Sequence, residues 1–478
     1  MPPTYKIFIA TVGLFAAATA TANDVLPTQV ASTLQRFKLP PATLSVTIKD
    51  LESGEVVLDI RGDEPRNPAS TMKLVTGLAS LERLGPAYRW KTRLFADGVT
   101  DDGRVDGNVV LVGGGDPYLV EERLYRWIRD LRVRGLESVS GDLVIDDSLF
   151  ETPPEDRGAF DNEPFRVYNA LPSAVLANFN AVRFLFSPAE NALVKVLADP
   201  NLDELRVRNN LRSIDGRCRG YRRGIAASEH PDVDIVFSGR FPNRCRRYGF
   251  TRSVMPPWRY AGSLFRWVFE SIGGTIDGRI VRGSVSENAE LIGEFESLSL
   301  AEIVRLMNKH SSNLIARQLL LTMAVEAGAS PANESAGVAE IAHWLDEADF
   351  EWPEFVMENG AGRSRVARIT TQHLVELIDY GWRSRVMPEF VASMALYGAD
   401  GTLAEREDFP SLRGRAHLKT GSLDHVTALA GVFHAANGRR FALAIAQNAE
   451  NAHRGGGQAV QDRLLEWLSS QNPPPSAR

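Results

Sequence analysis

Lysine is scarce in this chain. Of its 54 basic residues only eight are lysine and the other 46 are arginine. Where positive charge alone is needed, this sequence uses Arg. A lysine therefore marks a position where Arg could not serve, since a guanidinium keeps its proton in a protein while a buried amine can lose it. Other absences narrow the field. The net charge of −6 argues against binding nucleic acid through a strongly basic balance, although 46 arginines leave room for local basic patches. After the N-terminus no apolar run is long enough to span a bilayer. No H-E-x-x-H pairs the histidines, no Gly-x-Ser-x-Gly elbow surrounds a serine, and Gly113-Gly114-Gly115-Asp116-Pro117 lacks both phosphate-loop patterns and reads as a turn.

With 478 residues the chain exceeds one hydrophobic core and implies two to four domains. Lys6, the apolar stretch Ile7 to Ala18 and Ala20-Thr21-Ala22 read as a secretory signal over residues 1–22, so the mature protein is expected in the periplasm or another extracytoplasmic space without a transmembrane anchor. Cys218 and Cys245, the chain's two cysteines, are expected to pair there.

Thr43 to Ile48 and Val56 to Ile60 alternate around Glu52-Ser53-Gly54 as a hairpin. Pro68 then opens a helix striped by Leu74, Leu78, Leu81 and Leu84, with Ser70 in its first turn and Lys73 on the same face. From about 86 to 290 short strands, Gly/Asp turns and arginine dominate. Helical periodicity returns at Ser299, which with Glu302 makes a capping box, and an apolar helix from Leu314 follows Ser311-Ser312-Asn313. Lys419-Thr420-Gly421-Ser422 lies on a strand, then come Thr427 to His434, a turn at Asn437-Gly438, Phe441 to Ala446, and a last helix from Ala459 to Leu468. Strands at both ends share one sheet in this reading, and the middle is inserted.

Two of the eight lysines stand in Ser70-x-x-Lys73 and Lys419-Thr420-Gly421. A serine hydroxyl is a poor nucleophile until a base removes its proton. Lys73 can be that base if its amine stays neutral, and burial plus the charge of Lys419 would both lower its pKa. Ser311 can relay a proton to a leaving amine and Asn313 can hold a substrate amide. Backbone N–H groups of Ser70 and of the Lys419 strand can form an oxyanion hole. Lys419 with Thr420, Gly421 and Ser422 suits a substrate carboxylate. Ser422 and Asp424, two apart on a strand, would share a face.

The order S-x-x-K, S-x-N, K-T-G resembles the active-site serine penicillin-recognising enzymes, and the 241 positions between Ser70 and Ser311 resemble the class C low-molecular-mass penicillin-binding proteins. Gly115-Asp116-Pro117, Ile145 to Phe150, Asn359 to Arg365 and Tyr397 to Gly401 add to the likeness. The resemblance implies an α+β, transpeptidase/β-lactamase-like domain, an antiparallel sheet flanked by helices, over 23–85 and 290–478. A β-rich insertion would occupy 86–289, with 190–255 as a disulfide-bearing lobe. It implies a D-alanyl-D-alanine carboxypeptidase, with endopeptidase action on cross-linked peptides, acting on peptidoglycan stem peptides, acylated by β-lactams and using no cofactor or metal. Ser70 would be the nucleophile and Lys73 its base. Asp146, Phe150 and Arg365 would face the substrate's diamino-acid side chain, with Asp147 the alternative to Asp146. Ser312 stands where the family has Asp, and Asp424 where some relatives have Gln. A β-lactamase and a catalytically silent scaffold or sensor are the alternatives.

Overall fold

The computed structural model describes residues 25–98, 102–151, 156–219 and 224–472. The signal-like segment 1–22 lies outside them. Among the described residues no helix is long and apolar enough to cross a membrane.

A six-stranded antiparallel sheet runs in the order Ala395–Leu396, Ala416–Leu423, Val426–His434, Arg440–Asn448, Leu44–Asp50, Val56–Ile60. The N-terminal hairpin pairs onto the last strand, from Leu44 opposite Gln447 to Asp50 opposite Phe441. Arg440–Asn448 shows why the sheet carries helices on both faces. Its side chains alternate: Phe441, Leu443 and Ile445 join a core with Val30 and Leu34 of the helix Thr28–Arg36 and Leu464 and Leu468 of the helix Gly456–Gln471. Ala442 and Ala444 face the other way, into a core with Leu74, Leu78, Met307, Leu319 and Ile378. These come from the helices Lys73–Leu84, Leu300–His310, Asn313–Glu326 and Thr371–Arg383. Alanine on that face leaves room for helices bearing large residues. A strand buried on both faces reads as an unbroken apolar run.

Between these halves the chain builds a second core. A five-stranded sheet runs Ile280–Arg282, Leu143–Asp146, Val109–Val112, Lys91–Ala96, Glu290–Glu296, and Leu143–Asp146 lies parallel to both neighbours. The helices Glu121–Val133 and Pro257–Ser271 pack on it through Leu124, Trp127, Ile128, Leu264, Phe265 and Val268. Both helices add to the β-rich character read from the sequence. Three three-stranded sheets complete the region, and Cys218, after the strand Val207–Ile214, is bonded to Cys245, after Val233–Pro242. The chain leaves the first core and rejoins it at one spot: Trp90 N–H donates to Ser297 Oγ at 2.9 Å and Ser297 N–H donates to Trp90 O at 3.0 Å.

Candidate active site

The serine turn begins with a residue held in an unusual conformation. Ala69 has φ of 46°, a region that a side chain with a Cβ rarely adopts. Asn67 fixes it. Its Oδ1 accepts from Ala69 N–H at 2.9 Å, while its Nδ2 donates to Ser364 O at 2.8 Å. Ser70 lies in the 3₁₀ turn Ala69–Met72 and Lys73 opens the α-helix behind it. A 3₁₀ turn eclipses residues three apart, and Lys73 Nζ lies 3.0 Å from Ser70 Oγ.

Lys73 has no solvent exposure. Its amine reaches Asn313 Oδ1 at 2.8 Å and Ala361 O at 2.5 Å. Burial first, then the nearby charge of Lys419, holds its pKa well below the ordinary lysine value. Lys419 is equally enclosed, and burial lowers its pKa to about 7. It donates to Ser311 Oγ at 2.8 Å and to Thr420 O at 2.7 Å. Thr420 Oγ1 bonds Thr402 Oγ1 at 2.8 Å.

Ser311-Ser312-Asn313 is the joint between two helices. Ser311, with φ of 56°, ends Leu300–His310, and Ser312 caps Asn313–Glu326 by accepting from Ile315 N–H at 3.2 Å. Serine and aspartate are both good N-caps, which is a physical reason for Ser to stand at a position where Asp is usual. Gly421 lets the Lys419 strand approach the serine turn, since a Cβ there would sit 2.6 Å from Pro68 O and 3.1 Å from Ser70 N.

The loop Asn359 to Arg365 contributes a group that the motifs do not name, the Ala361 carbonyl. It is presented between Gly360 and Gly362, with φ of 66° and 72°, and a Cβ on Gly362 would fall 1.9 Å from Ala69 O. The insertion reaches this loop as well. Arg363 and Arg365 each lie 4.3 Å from the Phe160 ring centroid, Arg363 pairs with Asp161 at 3.1 Å, and Asn313 Nδ2 faces Tyr168 O at 3.4 Å. Paired glycines around Ala361 were the available sequence signal; Phe160, Asp161 and Tyr168 carried none.

The remaining candidates divide. Arg365 and Asp424 meet, with Nη2 and Oδ2 3.8 Å apart, and His453 Nε2 is 3.7 Å from the other carboxylate oxygen. Asp424 is not on the strand: Ala416–Leu423 ends one residue earlier, and Asp424 with His425 forms the two-residue turn into Val426–His434. The shared face expected for Ser422 and Asp424 is therefore corrected, because strand alternation stops at the turn. Asp146 is buried and accepts from Ser148 N–H and Oγ at 3.1 and 2.6 Å. Phe150 packs with Leu321, Ala324 and Ala332, and Asp147 pairs with Arg282 at 2.8 Å. Beside Ser311 and Asn313 opens an apolar cavity of about 470 Å³, walled by Tyr118, Tyr168, Phe179 and Leu306.

The two-faced sheet, the serine–lysine turn and the large insertion define the low-molecular-mass penicillin-binding-protein fold. The architecture superposes on penicillin binding protein 4 (dacB) from Haemophilus influenzae with a TM-score of 0.78 at 22% identity, covering 92% of this chain and 99% of that one. The D-Ala-D-Ala carboxypeptidase 3 (S13) family profile matches residues 26–471, and the chain belongs to that family of serine peptidases. It is 28% identical over 461 residues to a D-alanyl-D-alanine carboxypeptidase of Actinomadura sp. (strain R39), covering 91% of this chain and 83% of the relative. It is 23% identical over 411 residues to the D-alanyl-D-alanine carboxypeptidase DacB of Haemophilus influenzae, covering 85% of each.

Proposed function

We propose that this protein is a serine-type D-Ala-D-Ala carboxypeptidase, and a D,D-endopeptidase on cross-linked stem peptides, working through an acyl-enzyme on Ser70. The observation that carries it is the enclosed Lys73 amine, 3.0 Å from Ser70 Oγ and depressed in pKa by burial and by Lys419. Lys73 takes the hydroxyl proton as Ser70 Oγ attacks the carbonyl carbon of the penultimate D-Ala. Backbone N–H groups of Ser70 and of the Lys419 strand hold the oxyanion. The C–N bond then breaks, and the proton reaches the leaving amine through Lys73 and Ser311. Water, activated by the same base, hydrolyses the ester. Lys419, Thr420 and Ser422 bind the terminal carboxylate, with Gly421 giving the strand its close approach, and Asn313 orients the substrate amide.

In the endopeptidase reaction the leaving amine belongs to a neighbouring peptide's side chain, and the chemistry is otherwise unchanged. A β-lactam presents a strained amide to the same serine and stays attached; the Haemophilus relative has been solved complexed with a novel β-lactam. Arg365 and Asp424 meet the substrate's side chain at the rim, with Asp146 and Phe150 further along the insertion. In this reading 23–85 and 290–478 form the catalytic domain, 86–289 is inserted with a lobe at 190–255, and residues 1–22 direct export out of the cytoplasm.

The test is intact-mass analysis after incubation with penicillin, alongside D-Ala release from a stem-peptide analogue. Wild type should gain one lasting adduct and release D-Ala, while Ser70→Ala, folded by circular dichroism, should do neither. An adduct on the folded Ala variant would refute the assignment. Rapid penicillin turnover by wild type would instead identify a β-lactamase, and labelling without D-Ala release a silent sensor.

A further inference from the structure

Charge is spread unevenly along this chain. The whole carries −6, yet residues 201–252 hold twelve arginines, six acidic residues and no lysine. Nine of those arginines are exposed among the described residues. The acids leave them largely unneutralised. Asp234 and Glu204 turn to Arg259 and Arg266 on the helix Pro257–Ser271, and Asp232 lies 3.6 Å from His230. Asp215 does face the group, 3.9 Å from Arg244.

The fold concentrates this charge. The strands Val207–Ile214 and Val233–Pro242 run parallel, and their register sets Arg212 directly beside Arg240. Like charges in facing positions destabilise a sheet. Both strands then lead into the disulfide, where Arg217-Cys218-Arg219 is tied to Arg244-Cys245-Arg246-Arg247 with the cysteine Cα atoms 4.9 Å apart. The bond thus gathers five more guanidiniums around one point.

Aliphatic side chains share the face. Leu193 bridges to Arg212 in the same cross-strand row and is 46% exposed; Ile214, two residues beyond Arg212, is 39% exposed. Guanidiniums recognise phosphate oxygens through paired N–H donors. Exposed leucine and isoleucine among them gain nothing from a soluble polyanion, but gain burial at the headgroup–acyl boundary of a bilayer.

We propose that this arginine-rich, aliphatic face of the disulfide lobe docks on an anionic phospholipid bilayer and holds the enzyme peripherally at a membrane surface. The attachment is electrostatic with a shallow apolar component. It leaves the serine site untouched, because none of these residues belongs to it.

The test is vesicle flotation of the full folded chain. Wild type should float with vesicles of about 30% phosphatidylglycerol in phosphatidylcholine, and not with phosphatidylcholine alone, at low salt. Raising NaCl to about 0.5 M, where the screening length falls to roughly 4 Å, should release it. Each arginine near an anionic surface raises binding about fivefold, so R212Q/R240Q/R246Q/R247Q should lower it at least about fiftyfold. Should that variant melt early, R246Q/R247Q lies outside the strands and should still lose about tenfold or more. L193S/I214S should weaken vesicle binding severalfold while leaving retention on soluble polyphosphate unchanged. Wild type that stays unbound to anionic vesicles, or arginine variants that float like wild type, would overturn the proposal. So would retention on polyphosphate with vesicle binding indifferent to L193S/I214S, which would identify a soluble polyanion as the occupant.

Discussion

The amine of Lys73 donates to the backbone carbonyl of Ala361 at 2.5 Å, across 288 positions of sequence. The amide oxygen of Asn313 takes a second N–H at 2.8 Å. Both partners accept only. A neutral amine has two N–H groups and one lone pair, so these two contacts leave the lone pair for the Ser70 hydroxyl. An ammonium would have to spend its third proton on the hydroxyl that the proposed mechanism has it deprotonate. The arrangement is therefore suited to the base form.

Lys73→Arg should be nearly as damaging as Lys73→Ala, although it keeps the charge. A guanidinium has five donors, no lone pair to accept a proton and no neutral form near physiological pH. Acylation by penicillin, followed by stopped-flow or mass spectrometry, should fall below about a tenth of the wild-type rate for both variants. An Arg variant faster than that would make Lys73 an electrostatic residue and not a base.

Lys419 gives the fold a pH dependence with a definite sign. Its pKa is about 7 in the folded protein, lowered by burial from 10.5. Between those values the unfolded chain binds more protons, so stability rises with pH across that window and the contribution is level below it. Melting temperature should climb from about pH 7 to pH 9, at up to about 1.4 kcal/mol per pH unit for this group. Lys419→Met should flatten the climb, leaving the same-signed share from Lys73. An unchanged slope in the variant would show that the amine is solvated.

Asp424 pairs with Arg365 across 3.8 Å, both side chains exposed. Asp424→Gln should free that guanidinium and remove a negative charge, so kcat/KM for acidic stem peptides should rise relative to amidated ones. Exposed pairs are worth roughly 0.5–1 kcal/mol, hence a two- to fivefold change that salt weakens. Acylation by an uncharged β-lactam analogue should be little altered. An unchanged peptide ratio at low salt would leave Asp424 a solvated turn residue.

Free-thiol titration of the protein, denatured without reductant, should find no thiols, since Cys218 and Cys245 are bonded. Closing a loop over a separation of 27 positions stabilises by about 3–4 kcal/mol in the chain-entropy account. Cys218→Ser/Cys245→Ser should therefore lower the denaturation midpoint of the insertion. Two reactive thiols per wild-type chain would refute the bridge.

The sequence announced side chains better than backbone. Ser70 and Lys73 lie together as their spacing implied, Ser311, Asn313 and Lys419 join them as the resemblance carried by the motif order implied, and the Ser299–Glu302 capping box opens the helix Leu300–His310. The Ala361 carbonyl has no side chain to mark it, and only Gly360 and Gly362 betray the loop. Asp424 was read on the strand because the K-T-G-S pattern gives no sign of where the ladder stops; the turn at Asp424 and His425 decides it. The helix Glu121–Val133 escaped notice although Leu124, Trp127, Ile128 and Leu131 are spaced as one stripe, because arginine fills its other faces.

The split sheet has a consequence for how the enzyme comes into being. Leu44–Asp50 takes its inner partner from Arg440–Asn448, and Ser70 precedes Lys419 by 349 positions. A growing chain carries its serine turn early, but with neither the second amine to depress Lys73 nor the strand that bears it. Contacts this distant in sequence close late. The nascent polypeptide is thus a latent hydrolase, disarmed by incompleteness until its C-terminal strands arrive.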